Sequence, residues 1–270
     1  SGKTKVLTTR VAYLIDELGI TPESILAITF TNKAAKEMKD RIFKMLGTIA
    51  YQIQISTFHS FGLTILKEHY EKLGYDKNFT ILDSDDSSTV VKKILKDMDK
   101  DPKKYSYKAI RNKISSAKNE LMEPEDLAKF STNDMDDLVV DVYKKYKEKL
   151  KTNNSVDFDD LLMLPITLFR KYPEVLKFYQ DRFKYILIDE YQDTNEAQYL
   201  LTKMISAKYK NICVVGDNDQ SIYSFRGSNY KNILNFEKDY NNAKVIMLER
   251  NYRSTKQILD VANCIIKKNT

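Results

Sequence analysis

Two groups of residues, far apart along this chain, have the types and order for phosphate chemistry. Ser1-Gly2-Lys3-Thr4 carries the closing positions of a G-x-x-x-x-G-K-[ST] phosphate loop, whose first glycine would lie before residue 1. In such a loop the lysine meets phosphate oxygens and the threonine hydroxyl meets Mg²⁺. The second group ends an apolar run, Tyr185-Ile186-Leu187-Ile188, with Asp189-Glu190. An aspartate there can hold Mg²⁺ through water, since that ion keeps much of its hydration shell. The adjacent glutamate can orient and deprotonate an attacking water. Alone, Asp-Glu reads as a capping pair at a strand-to-helix turn. Together with Gly2-Lys3-Thr4 it reads as a metal anchor and a base.

A third group lies in Val214-Val215-Gly216-Asp217-Asn218-Asp219-Gln220 and the residues after it. Gln220 follows a strand and a turn, so it can reach a terminal phosphate. Tyr223 and Phe225 follow closely, and aromatic side chains stack on nucleobases at about 1–3 kcal/mol per base. Simple core packing is the alternative for each aromatic. One short segment can therefore carry a nucleotide sensor and a stacking platform, and a small shift at Gln220 would move both.

These groups need a frame that brings them together. Five short apolar runs, rich in Ile, Val, Leu or aromatics, predict buried strands: Ile25–Phe30, Ile53–Phe58, Tyr185–Ile188, Asn211–Val215 and Lys244–Leu248. Helical patterns separate them. After Phe30, Thr31 or Asn32 can cap a helix with Ala35, Met38, Ile42 and Met45 on one face. Strands alternating with helices predict an α/β fold, a parallel sheet covered by helices. Each run is followed by polar residues, and ligands of open parallel sheets bind at the carboxyl ends of the strands. Residues Asp83 to Asn154 break the rhythm. Helical stretches at Ser84–Asp99, Tyr107–Leu121 and around Leu138, Val142, Tyr146 and Leu150 predict an inserted all-helical subdomain, with 151–155 as its exit linker.

Composition narrows the class. The 42% hydrophobic and 30% charged residues are the balance of a globular chain. No apolar run reaches the roughly 18 residues needed to cross a bilayer, and no secretory signal is visible, which predicts no membrane partner. Cys213 and Cys264 read as reduced core residues of an intracellular protein, and two cysteines with two histidines argue against structural zinc. A net charge of +6 is compatible with a polyanion partner but does not require one.

Six blocks in order, SGKT, ILAITFTNKAAKEM, STFHSFG, LIDEYQDTN, VVGDNDQSIYSFRG and LERNYRS, closely resemble the N-terminal half of UvrD/PcrA/Rep-type superfamily 1 DNA helicases. The resemblance runs along the whole chain. It implies a RecA-like P-loop NTPase domain (motor domain 1A, residues 1–82 and 155–248), an inserted helical subdomain 1B (83–154) and the start of a second motor domain (249–270). It implies ATP and Mg²⁺ as cofactors. Gly2, Lys3 and Thr4 would hold phosphate, with Thr4 and Asp189 on the metal. Glu190 would be the catalytic base and Gln220 the γ-phosphate sensor. Tyr252 would stack on adenine, Arg253 would act as an arginine finger, and Lys5 stands where relatives often carry arginine beside the nucleotide. Phe30, Thr31, Asn32, Thr57, Phe58 and His59 would touch single-stranded DNA. So would Tyr223, Phe225 and Arg226, with Phe225 standing where the family usually has tryptophan. Lys103, Lys104, Lys108 and Lys113 of the insertion could touch duplex phosphates or simply face solvent. His69 reads as structural.

The resemblance also implies that the chain is a fragment, with the rest of the phosphate loop upstream and most of the second motor domain downstream. The expected parent is a cytoplasmic, ATP-dependent 3′→5′ helicase acting on single strands and single/double-strand junctions, with repair or replication proteins as partners. The piece alone is expected to be nearly inactive. Two other readings stay open: the helicase subunit of a helicase–nuclease, and a non-catalytic single-strand-binding module. Intact Asp189, Glu190 and Gln220 argue against the last.

Overall fold

The computed structural model of the chain describes residues 2–102, 104–220 and 231–266. In chain order come α1 (Lys3–Asp16), β1 (Ile25–Thr29), α2 (Asn32–Leu46), β2 (Gln54–Thr57), α3 (Phe58–His69), β3 (Thr80–Leu82), α4 (Ser84–Asp97), α5 (Tyr107–Asn119), α6 (Pro124–Ala128) and α7 (Asp134–Thr152). Then follow β4 (Ser155–Asp157), α8 (Asp160–Lys171), α9 (Pro173–Arg182), β5 (Tyr185–Ile188), α10 (Glu196–Ser206), β6 (Ile212–Val214), α11 (Lys231–Leu234), α12 (Phe236–Asp239) and α13 (Lys256–Ile266).

The main sheet is parallel, in the order β2-β1-β5-β6. Ala27 stands between Ile55 and Leu187 in this register. Side chains alternate across a strand, and the two cores follow that alternation. Leu26, Ile28, Ile186 and Ile188 join one core with α3, α8, α9 and α10, through residues such as Phe61, Phe169, Tyr179 and Leu201. Ile25, Ala27 and Leu187 join the other with Leu7, Val11 and Leu14 of α1 and Met38 and Ile42 of α2. β1 is buried at every position because both faces are covered. This is the expected α/β arrangement of a parallel sheet between helical layers, and all four strands end on one edge.

The insertion has its own core, built from α4, α5 and α7: Val91, Leu95, Ile110, Ile114, Val142 and Tyr146 are nearly inaccessible. Leu138, Val142, Tyr146 and Leu150 lie on one buried face of α7, the four-residue spacing read from the sequence. Burying one such side chain is worth about 1.5–3 kcal/mol.

Two of the helices approach closely at Gly62. A Cβ there would lie 1.8 Å from the Leu161 carbonyl oxygen. Pro165, inside α8, has no N–H to offer that carbonyl four residues earlier. The freed oxygen occupies the space that only glycine leaves in α3.

Several expectations need correction. Residues 244–248 form no strand: Val245, Ile246, Met247 and Leu248 are exposed and pair with none of the described strands. An apolar run becomes a strand only where an edge receives it. Two short strands, β3 and β4, were not expected. They pair in parallel at the root of the insertion, with Ile81 opposite Val156, and at three residues each are too short to show a period. The expected linker 151–155 is therefore the end of α7 and the start of β4. On α2 the buried row is Met38, Ile42 and Leu46, and Met45 is exposed. Cys264 is exposed rather than in the core, while Cys213 is half-buried.

Candidate nucleotide and nucleic-acid site

The expected nucleotide side starts at α1. No side chain caps its first turn and no acidic residue stands in it. Its N–H groups and the positive end of its dipole therefore suit an anion. The Thr4 hydroxyl donates to Asp189 Oδ2 at 2.7 Å, across 185 positions of sequence. Burial pushes the Asp189 carboxyl above the usual aspartate range, and the Thr4 hydrogen bond opposes that shift. One hydroxyl and one carboxylate side by side at a helix N-terminus are a donor set that fits Mg²⁺, which keeps several waters and takes its remaining oxygens from phosphate.

Lys3 Nζ lies 3.1 Å from Glu190 Oε2, without the alignment of a hydrogen bond. Glu190 itself has left-handed backbone angles, φ 51° and ψ 45°. Such a conformation costs a non-glycine residue about 1 kcal/mol or more and is found where surrounding contacts impose it. Here its N–H donates to Asp189 Oδ1 at 3.0 Å and its carbonyl accepts from the Asp193 N–H at 3.0 Å. The Tyr191 N–H donates to the Val215 carbonyl, anchoring the turn to the segment after β6.

Gln220 is exposed, in a 3₁₀ turn, and its amide donates to Asp217 Oδ2 at 2.7 Å. The Asp217 N–H donates in turn to Gln192 Oε1 at 3.0 Å, and Gln192 Nε2 donates to Glu190 Oε2 at 2.9 Å. Lys3, Thr4, Asp189, Glu190 and Gln220 thus belong to one connected polar cluster.

A cleft of about 790 Å³ opens on the same sheet edge. Phe30, Thr31 and Asn32 after β1, and Thr57, Phe58 and His59 at the end of β2, all line it. The threonines also cap helices: Thr31 Oγ1 accepts from the Ala34 N–H at 3.1 Å and Thr57 Oγ1 from the Ser60 N–H at 3.2 Å. Each such cap is worth about 1 kcal/mol. Phe58 is 3% exposed and sits mainly in the core. His59 stacks on Phe158 with ring centroids 4.2 Å apart, and burial lowers its pKa to about 4, so the ring is neutral at pH 7.

Sequence reasoning missed the opposite wall. α5 contributes Arg111, Asn112, Ser115, Ser116 and Asn119, and Phe158 adds a half-exposed ring. The signal was present: on α5 these polar residues recur on the face opposite Ile110, Ile114 and Ala117. The lysines singled out there behave differently. Lys113 pairs with Asp136 at 2.9 Å, and Lys104 lies over the Tyr105 ring. Lys103, Tyr223, Phe225 and Arg226 lie outside the described residues.

A further cleft, about 1010 Å³, brings Tyr252 and Arg253 beside Gly2 and Lys5 on α1. The Arg250 guanidinium lies 5.1 Å from the centre of the Tyr252 ring. His69 packs edge-on against Tyr179. Among the described residues, no group of three or more His, Cys, Asp and Glu side chains could hold a metal, and no helix is long and apolar enough to cross a membrane.

The sequence profile of the UvrD/REP helicase N-terminal domain matches residues 1–241. The chain belongs to the UvrD/REP helicase family. Over all 270 residues it is 56% identical to the ATP-dependent DNA helicase PcrA of Bacillus subtilis strain 168. It is 52% identical to proteins of the same name from Staphylococcus aureus and Staphylococcus epidermidis. It spans 36–37% of the length of these UvrD/REP relatives.

Proposed function

We propose that this chain is the first motor domain, with its helical insertion, of an ATP-dependent DNA helicase that moves 3′→5′ along a single strand. The observation that carries this reading is the Thr4–Asp189 contact at 2.7 Å. It joins the phosphate-loop residues to the strand-end carboxylates, on the same sheet edge as a cleft lined by Phe30, His59 and Phe158.

In this reading the N-terminus of α1, with Gly2 and Lys3, takes the phosphates, and Lys3 offsets their charge. Thr4 and Asp189 hold Mg²⁺, which supplies charge neutralisation at the phosphate oxygens when bound. Glu190 accepts the proton of the attacking water, a contribution of roughly 10²–10⁴-fold for a well-placed base. Gln220 reads the terminal phosphate. Lys5 flanks the nucleotide, Tyr252 stacks on the base, and Arg253 stabilises the charge of the transferring phosphoryl group. Single-stranded DNA lies in the cleft between the β1 and β2 ends and α5, with Phe30 and Phe158 as stacking surfaces and Arg111 as a phosphate contact. Tyr223, Phe225 and Arg226 also touch the strand in this reading. The insertion serves duplex at a junction. The full protein acts in the cytoplasm with repair or replication proteins, and the 270-residue chain alone turns ATP over slowly.

The test is ATP hydrolysis by the full-length protein with and without single-stranded DNA, beside its Glu190→Gln variant. The expected result is DNA-stimulated turnover that the substitution reduces at least about 100-fold, with DNA binding kept. Equal turnover in the two proteins would defeat the assignment of Glu190. Absence of turnover in both, with DNA still bound, would favour a non-catalytic strand-binding module.

A further inference from the structure

Gln192 lies two residues beyond Glu190, and none of the chemistry above uses it. It is 1% exposed. A buried primary amide carries two donors and an acceptor, each costly to leave unpaired. Here they are spent on three separate groups. Nε2 donates to Glu190 Oε2 at 2.9 Å and to Asp193 Oδ2 at 3.2 Å. Oε1 accepts from the Asp217 N–H at 3.0 Å.

The three groups belong to three regions. Glu190 faces Lys3. Asp193 lines the cleft with Phe30 and His59. Asp217 holds the Gln220 amide. The chain has also made room for this side chain. At Gly216 an added Cβ would lie 2.7 Å from Gln192 Oε1 and 2.6 Å from Ile233 Cδ1. The backbone after β6 therefore closes directly on the amide.

Lys3 and Gln192 share the same oxygen of Glu190. A phosphate at the α1 N-terminus competes for the lysine. The amide then remains as a neutral donor holding the carboxylate. A neutral donor suits a base, because it fixes the orientation without adding a full positive charge that would weaken proton acceptance.

We propose that Gln192 is a positioning residue for ATP hydrolysis: its amide aims the Glu190 carboxylate and ties that aim to the Asp217–Gln220 turn and to Asp193 at the DNA cleft. The proposal rests on Glu190 being the base.

The test uses the full-length helicase with two substitutions of similar shape. Gln192→Met removes every hydrogen bond. Gln192→Glu keeps an acceptor for the Asp217 N–H but loses the donor to Glu190. Both should lower kcat with single-stranded DNA by roughly 30-fold, a loss smaller than the roughly 10²–10⁴-fold a general base supplies. KM for ATP and DNA affinity should stay within about threefold, and thermal unfolding confirms that each variant is folded. A Glu190→Gln, Gln192→Met double variant should be no slower than Glu190→Gln alone, because the amide acts through the carboxylate.

Full kcat in Gln192→Glu with loss in Gln192→Met would overturn the role of the donor. So would additive losses in the double variant, or a rise in KM with unchanged kcat. If Gln192→Met fails to fold, Gln192→Glu decides alone by its kcat and by its combination with Glu190→Gln. Full activity in Glu190→Gln would instead defeat the underlying reading and leave the amide without a base to aim.

Discussion

Two of the lysine–carboxylate clusters among the described residues look alike in composition and differ in burial and in how fully they are paired. At the root of the insertion, Lys118 is 3% exposed and donates to Asp157 at 2.7 Å and to Asp160 at 2.8 Å. The Tyr146 hydroxyl donates to Asp157, and the two aspartates each accept the other's backbone N–H. Despite burial, the paired carboxylates hold the Lys118 pKa well above the usual lysine value. At the sheet edge, Lys3 meets Glu190 without alignment, and the Glu190 carboxylate is about a third exposed. One cluster is complete and closed. The other is connected but unsaturated, beside a strained residue and an uncapped helix. Completed pairing goes with residues that hold the fold, and in the proposed reading the incomplete pairing at the strand end leaves Lys3 and Glu190 available to a ligand.

The comparison is tested most severely by Lys118→Ala. Removing one partner of a buried pair leaves uncompensated charge, so denaturant unfolding should show a loss of about 3–5 kcal/mol. Lys118→Met combined with Asp157→Asn and Asp160→Asn should recover more than half of that, because no buried charge then stands alone. If the triple variant is as unstable as Lys118→Ala, the cluster's ionic character is not what the single variant exposes.

The next effect is a proton's. Burial lowers the His59 pKa from 6.5 to about 4, so the folded state binds this proton more weakly than the unfolded state does. Its contribution is fully present above pH 6.5 and is lost as pH falls towards 4. The loss is at most about 3 kcal/mol. Urea unfolding at several pH values should show this slope, and His59→Asn should flatten it. An unchanged slope in the variant would place the sensitivity elsewhere.

The smallest stability effect belongs to Lys3→Ala. Lys3 Nζ is buried but makes no hydrogen bond, and its partner Glu190 is partly exposed. Such an unaligned pair is worth about 0–1 kcal/mol, so unfolding should barely change while DNA-stimulated ATP hydrolysis by the full-length protein collapses. A loss above about 2 kcal/mol would make Lys3 a structural residue like Lys118 and erase the contrast.

Much of this was legible from the residues. The Thr4 and Asp189 groups could be named because phosphate loops and strand-end carboxylates have local signatures, and the insertion showed as a loss of strand rhythm with four-residue spacing in α7. Other features had no local signature. The run 244–248 has the composition of a strand, yet no described strand pairs with it. Met45 and Leu46 are adjacent and equally apolar, and only packing against the sheet decides which is buried. Gln192 reads as one more polar residue after Asp-Glu until its contacts to Glu190, Asp193 and Asp217, the last 25 positions away, are known.

The sequence by itself determined which segments could be helix or strand and which residue types stood at the strand ends, because periodicity, caps and motif spacing act over a few residues. Tertiary structure alone decided that Thr4 meets Asp189, that α5 forms the second wall of the cleft, and that Gln192 reaches Glu190 and Asp217 while Lys118 is closed into its own cluster. Those outcomes depend on burial and on partners distant along the chain, and desolvation and hydrogen-bond completion are properties of the packed molecule.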